Sequence, residues 1–153
     1  MIRESIKAAL VSAMKSGDKA TVGTLRMLEA AIKNRDIELR TATVLPDDDA
    51  LVTDVMQKMI KQRRESAAMY DTGNRPELAG IETSEIITLE RFLPTQMSED
   101  EARAAIGAII AEVGASSMKD MGKVMAEVKS RHATSIEPAK ASALVKALLA
   151  GQQ

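Results

Sequence analysis

Aliphatic residues in this chain recur every three or four positions and never alternate with polar ones, which is the spacing of a helix face and not of a strand. Ile2, Ile6, Ala9, Leu10 and Ala13 predict a helix over 2–15, which Gly17 stops and after which Asp18 caps the next. Leu25, Leu28, Ile32 and Leu39 carry that second helix to about Arg40. The loop 41–46 ends in Pro46, and Asp47, Asp48 and Asp49 suit the positive end of a third helix reaching Tyr70 or Asp71. Turn formers crowd 71–76, so a short irregular or helical piece is expected before a fourth helix at about 83–93, which Pro94 ends.

Beyond Pro94 the pattern restarts. Ser98 and Glu101 have the spacing of a capping box, followed by Ile106, Ile109, Ile110 and Val113 on a helix over about 99–113 that Gly114 closes. Ser117, with Asp120 as a weaker box, opens a helix to about Arg131; Pro138 fits the first turn of a last one bearing Leu144, Val145, Leu148 and Leu149. The expected architecture is all-α: an N-terminal helical hairpin or bundle over 1–94 and a C-terminal three-helix lobe over 95–153. Ten Met and 1% aromatic residues agree with helix over sheet, and leave Tyr70 and Phe92 as the only rings on which a base could stack.

Much chemistry is excluded at this level. Without cysteine there is no disulfide, no thiolate nucleophile and no Cys-based zinc site. His132 is the single histidine, so imidazole triads and two-histidine metal sites lack members; its simplest role is at a helix C-terminus, beside Met121, Met125 and Val128. The scattered glycines form no phosphate loop. Ser116-Ser117-Met118-Lys119 invites comparison with a serine–lysine amidase, but helix capping explains the spacing. No catalytic residue, metal or cofactor is expected. The N-terminus lacks the continuous apolar core of a secretory signal, and no run of some eighteen apolar residues occurs. A cytoplasmic protein without a membrane partner is the expectation.

A formal net charge of −1 leaves only a local patch as a route to nucleic acid. The run from Lys58 to Glu65 looks basic, yet on a helix it pairs Asp54 with Lys58 and Lys61 with Glu65, a self-compensated face. Arg63 falls instead in the stripe of Met56, Met59 and Ile60, where a guanidinium needs a carboxylate; Glu29, Glu82 and Glu85 are the candidates. From Ser116 to Ala150 six cations (Lys119, Lys123, Lys129, Arg131, Lys140, Lys146) face three acids, a local balance of about +3. Lys119 and Lys123, one turn apart with Gly122 and Ala126 beside them, offer a smooth cationic helix face to a phosphate backbone, although on the residues alone an ordinary solvated lysine face is the favoured explanation.

Three stretches resemble the GatB/YqeY family in order: Leu25-Arg26-Met27-Leu28-Glu29 through Glu38; Lys58 through Ser66, with Glu85-Ile86 and Leu93-Pro94-Thr95-Gln96-Met97-Ser98; and Met118-Lys119-Asp120-Met121-Gly122-Lys123-Val124-Met125. The resemblance covers essentially the whole chain. It implies a C-terminal lobe similar to the tail domain of the B subunit of glutamine-dependent aspartyl/glutamyl-tRNA amidotransferase, which engages tRNA away from the chemistry. The family's label of carbon–nitrogen ligase with glutamine as amido-N-donor then reads as inherited from the larger enzyme. The implied partners are tRNA and a tRNA amidotransferase or synthetase, not DNA, and the six C-terminal cations are the implied contacts. The rival expectations are a protein adaptor with no RNA role and a genuine amide-transfer enzyme. Where family members often carry a Gly- or Ala-Asp-Gly-like turn before the last helix, this chain has Ala133-Thr134-Ser135-Ile136-Glu137-Pro138.

Overall fold

The computed structural model describes residues 1–151, and among them lie seven α-helices, two 3-10 turns and no strand, so the protein is all-α. It divides into two compact units, Met1–Leu93 and Pro94–Gln153.

The first unit holds α1 (Ile2–Ser16), α2 (Lys19–Glu38), α3 (Asp48–Thr72) and α4 (Pro76–Glu90). Gly17 closes α1 with a φ of 73°, a conformation that a side chain would strain. The Asp18 carboxylate then accepts from the Thr21 N–H at 3.1 Å, and Asp47 caps α3 in the same way through Ala50. Three boundaries differ from the pattern-based ones, the last being the end of the fourth helix, which stops at Glu90 and not at Leu93. The second helix stops at Glu38 and relaxes into a 3-10 turn over Leu39–Thr41. The fourth starts at Pro76 and not near Thr83, because Gly73 and a left-handed Asn74 (φ 58°) complete the reversal quickly and proline is pre-set for a first helical position.

α3 is the axis of this unit. Leu51, Val52, Val55, Met56, Met59 and Ile60 are buried on it, packed against Ile6 and Leu10 of α1, Leu25, Leu28 and Ile32 of α2, and Ile86 and Leu89 of α4. Burying each such side chain is worth about 1.5–3 kcal/mol. Two arginines tie the helices together at the edge of that core. Arg3 reaches Asp36 of α2 at 2.9 Å and Asp48 of α3 at 2.7 Å, spending both ends of its fork. Arg63, only 12% exposed, meets Glu85 of α4 at 2.7 Å, so of the three acids the sequence offered it is Glu85 that neutralises the charge in the stripe. Asp54 pairs with Lys58 at 3.0 Å as expected, but no ion pair joins Lys61 to Glu65 among the described residues.

The second unit holds α5 (Glu99–Val113), a 3-10 turn (Met118–Asp120), α6 (Met121–His132) and α7 (Pro138–Ala150). Ser98 accepts from the Glu101 N–H at 3.2 Å, and Gly114 ends α5 at φ 68°. Ala102, Ile106, Ile109, Ile110, Val124, Val128, Leu144, Val145 and Leu149 close an entirely aliphatic core. The segment before α5 is bound to the α6–α7 turn: the Met97 N–H donates to Ser135 at 2.9 Å and the Gln96 side-chain amide to Thr134 at 2.8 Å.

Candidate nucleic-acid interface

The helix expected from Ser117 begins instead with the 3-10 turn. Asp120 causes this, because its carboxylate folds back to accept the main-chain N–H of Ser116 at 2.9 Å and of Ser117 at 3.3 Å, drawing the first turn tight. Those two bonds, that of Ser116 first, hold its carboxyl below the usual carboxylate range. Lys119 therefore stands on the 3-10 turn and Lys123 in the first turn of α6, not together on one continuous α-helix. Beside them Gly122 and Ala126 are exposed, and a Cβ at Gly122 would meet nothing within 4 Å, so this surface is smooth.

All six candidate cations are exposed, but they are not equally available. Arg131 is held by Glu112 of α5 at 2.6 Å and Glu127 at 3.1 Å, and these carboxylates, Glu112 foremost, raise its pKa. Lys123 donates to the Val113 carbonyl at 3.1 Å, satisfying the negative end of α5. Lys119, Lys129, Lys140 and Lys146 make no ion pair or hydrogen bond with a described side chain. At about 100° per residue, Lys123 and Lys129 diverge by about 120° around α6, and so do Lys140 and Lys146 around α7. The cations thus spread over a turn and two helices, and no single ridge gathers them.

The residues weighed for chemistry stay apart. His132 is half-buried at the last position of α6, and its carbonyl accepts from Ser135 and Ile136. Ser116 and Ser117 give their main-chain N–H groups to Asp120, and no hydrogen bond links either to Lys119 among the described residues. Among those residues no group of three or more His, Asp or Glu side chains could hold a metal ion, and no helix is long and apolar enough to cross a membrane. A groove of about 290 Å³ opens between the start of α5 and α7, lined by Met97, Ala102, Ile136, Lys140 and Leu144; its walls are mostly apolar.

Two compact helical units, the second ringed by surface lysines, define an all-helical two-unit protein. The chain belongs to the YqeY-like family: the family described as Yqey-like protein matches it over residues 3–149. It is 29% identical over 139 residues to "Altered inheritance of mitochondria protein 41, mitochondrial" from Meyerozyma guilliermondii, a match covering 87% of this chain and 71% of that protein. The protein of the same name from Vanderwaltozyma polyspora is 30% identical over 58% of this chain and 46% of its own length. An uncharacterized protein from Schizosaccharomyces pombe is 31% identical over 61% of this chain and 72% of its own. The matches thus span from 46% to 72% of the length of these three relatives.

Proposed function

We propose that this protein is a tRNA-binding helical module that works beside a tRNA amidotransferase or synthetase, in the cytoplasm, with no amide transfer of its own. The observation that carries the reading is the division of labour among cations in the second unit. Both of its arginines are engaged, Arg103 with Glu99 and Arg131 with Glu112 and Glu127, while Lys119, Lys129, Lys140 and Lys146 point into solvent unpaired among the described residues. Lysine is a flexible point charge that neutralises a phosphate without demanding one geometry, which suits recognition of a folded RNA by its backbone. The smooth surface at Gly122 and Ala126 lets that backbone approach closely. The sequence resemblance, which implies a lobe similar to an amidotransferase tail domain, favours tRNA over other polyanions. The mitochondrial names of the relatives make the mitochondrion the compartment against which a cytoplasmic site is to be tested.

The test is a titration of the full chain against unmodified tRNA at several salt concentrations. Four phosphate contacts give a log–log salt slope of about −3 to −4. Lys119→Glu with Lys129→Glu should weaken binding at least tenfold for every tRNA tried, whereas Arg103→Glu should change it little. A flat salt response, or full affinity in the double variant, overturns the reading.

A further inference from the structure

α2 is apolar on two sides. Leu25, Leu28 and Ile32 face the core, yet the outward arc of the same helix carries Ala20, Gly23, Met27, Ala30 and Ile37, all exposed, Met27 at 43% and Ile37 at 44%. A helix that only covers a bundle places charged residues on that arc. These positions alternate in steps of three and four, with Asn34 completing the series, so they repeat every seven residues as in the seam between two packed helices. Along the α1 edge of the arc runs a second row with the same repeat: Lys19, Arg26 and Lys33 on α2, and Arg40 in the turn just beyond it. All four are exposed, and none lies in an ion pair with a described residue. Two acids of α2 are already engaged, Asp36 by Arg3 and Glu38 by Arg35, and Glu29 lines the groove between α1 and α2, which Lys33 of the row also borders without an ion pair to it. Met27 itself is steadied from the other edge, its Sδ lying 3.7 Å from the Arg63 guanidinium.

We propose that this outward face of α2 docks an amphipathic helix of a partner protein that carries an aliphatic stripe flanked by a row of Asp or Glu at seven-residue spacing. Charge selects this occupant. A second copy laid antiparallel on the same face would bring cation row against cation row, and a parallel copy would offer Thr24, Ala31 and Glu38, one acid against four cations. Phosphate would satisfy the cations but gives Met27 and Ile37 nothing to bury against. An acidic helix satisfies both rows at once, because its own seven-residue repeat of about 10.5 Å matches the rise from Lys19 to Arg26 to Lys33.

The experiment places a photo-crosslinker in the centre of the arc, Ala30→p-benzoylphenylalanine, in the full chain within its native extract, and maps the adduct by mass spectrometry. The expected result is one adduct on a protein helix with acids at seven-residue spacing beside aliphatic positions. Arg26→Glu with Lys33→Glu should cut its yield at least tenfold, and changing the mapped acids to lysine should restore it. Arg26→Gln with Lys33→Gln, checked for native helix content by circular dichroism, should give an intermediate loss. Lys119→Glu with Lys129→Glu should leave the yield unchanged, which separates this surface from the RNA-contacting one. An adduct on a second copy, on RNA or on lipid, an adduct indifferent to charge reversal, or no adduct at all overturns the proposal.

Discussion

The two units finish their surfaces in opposite ways. Every large apolar side chain left exposed among the described residues belongs to the first: Val11, Met14, Met27, Ile37, Met69, Ile81 and Ile87 on its helices, with Met1, Val44 and Leu45 outside them. The first also holds all the buried polar side chains among the described residues, Thr24, Thr53, Gln57 and Thr88, and ties its helices with the guanidiniums of Arg3 and Arg63. The second buries only aliphatic groups and leaves lysines outside. A core that admits polar groups and a surface that admits apolar ones give up stability, and proteins accept that loss where a surface is to be covered. The first unit therefore leaves apolar surface uncovered, and the second leaves charge.

The comparison is sharpened most strongly by emptying the two cores in turn. Ile106→Ala in the second unit and Leu28→Ala in the first remove side chains that are fully buried, and each should cost about 3 kcal/mol in urea unfolding followed by circular dichroism. If Leu28→Ala costs less than 1 kcal/mol, the first unit has no consolidated core and the contrast fails. A smaller effect separates the ion pairs. Glu85→Ala strands the Arg63 guanidinium where water barely reaches it and should cost about 2 kcal/mol, largely recovered by adding Arg63→Met. Glu112→Ala exposes Arg131 to solvent that already wets it, and no measurable change in stability is expected.

How far the sequence reached follows the same physics. Period and punctuation found seven helices but placed the start of the fourth seven residues late, because the 3.6-residue repeat and caps such as Asp18, Ser98 and Gly114 are local signals and the reversal at Asn74 is not among them. Arg63 announced its need for a partner because a charge inside an apolar stripe is a local contradiction, and Glu85 lay within two helical segments. The Arg3 clasp gave no such sign: its acids stand 33 and 45 residues away, and Asp48 reads as an ordinary helix-terminal acid. Glu127, four residues before Arg131, was a readable partner for it, whereas the stronger one, Glu112, stands 19 residues away on another helix and nothing local announced it. The seven-residue rows of α2 were open to view from the start. The inward stripe alone accounts for the helix, and without coordinates nothing showed the other face to be uncovered.

Two polar atoms in the first unit test whether its core is truly compromised. Thr53 Oγ1 and Gln57 Nε2 are buried on α3 without a hydrogen-bond partner among the described residues. An unmet buried hydroxyl costs about 1–3 kcal/mol, so the nearly isosteric Thr53→Val should stabilise the protein by about 1 kcal/mol and raise the urea midpoint. A destabilised variant would mean that the hydroxyl has a partner in solution and that the first core is as complete as the second.

The smallest effect is set by acid. Hydrogen bonding to Arg3 holds the Asp48 carboxyl below its ordinary value, so folding favours the ionised form. A depressed carboxyl contributes stability that is fully present above the unfolded value of about 3.9 and is lost as pH falls through the lower folded one. Arg3, its own pKa raised by Asp48 and Asp36, stays charged throughout and adds no slope. Both partners are open to water, Asp48 at 38%, so screening leaves only about 0.5 kcal/mol. Asp120 is depressed too, but chiefly by the main-chain amides of Ser116 and Ser117, with the charge of Lys123 the least of the causes. Salt tells the two apart. In 1 M salt the acid-sensitive contribution of Asp48, measured as the difference between the native chain and Asp48→Asn between pH 5 and 2.5, should shrink by at least half, whereas the Asp120→Asn difference should lose only the small part due to Lys123, because a bond to a neutral amide has no counter-charge to screen. Equal salt sensitivity in the two differences would show that one kind of contact serves both units, and the contrast between an ion-clasped lobe and a capped one would not hold.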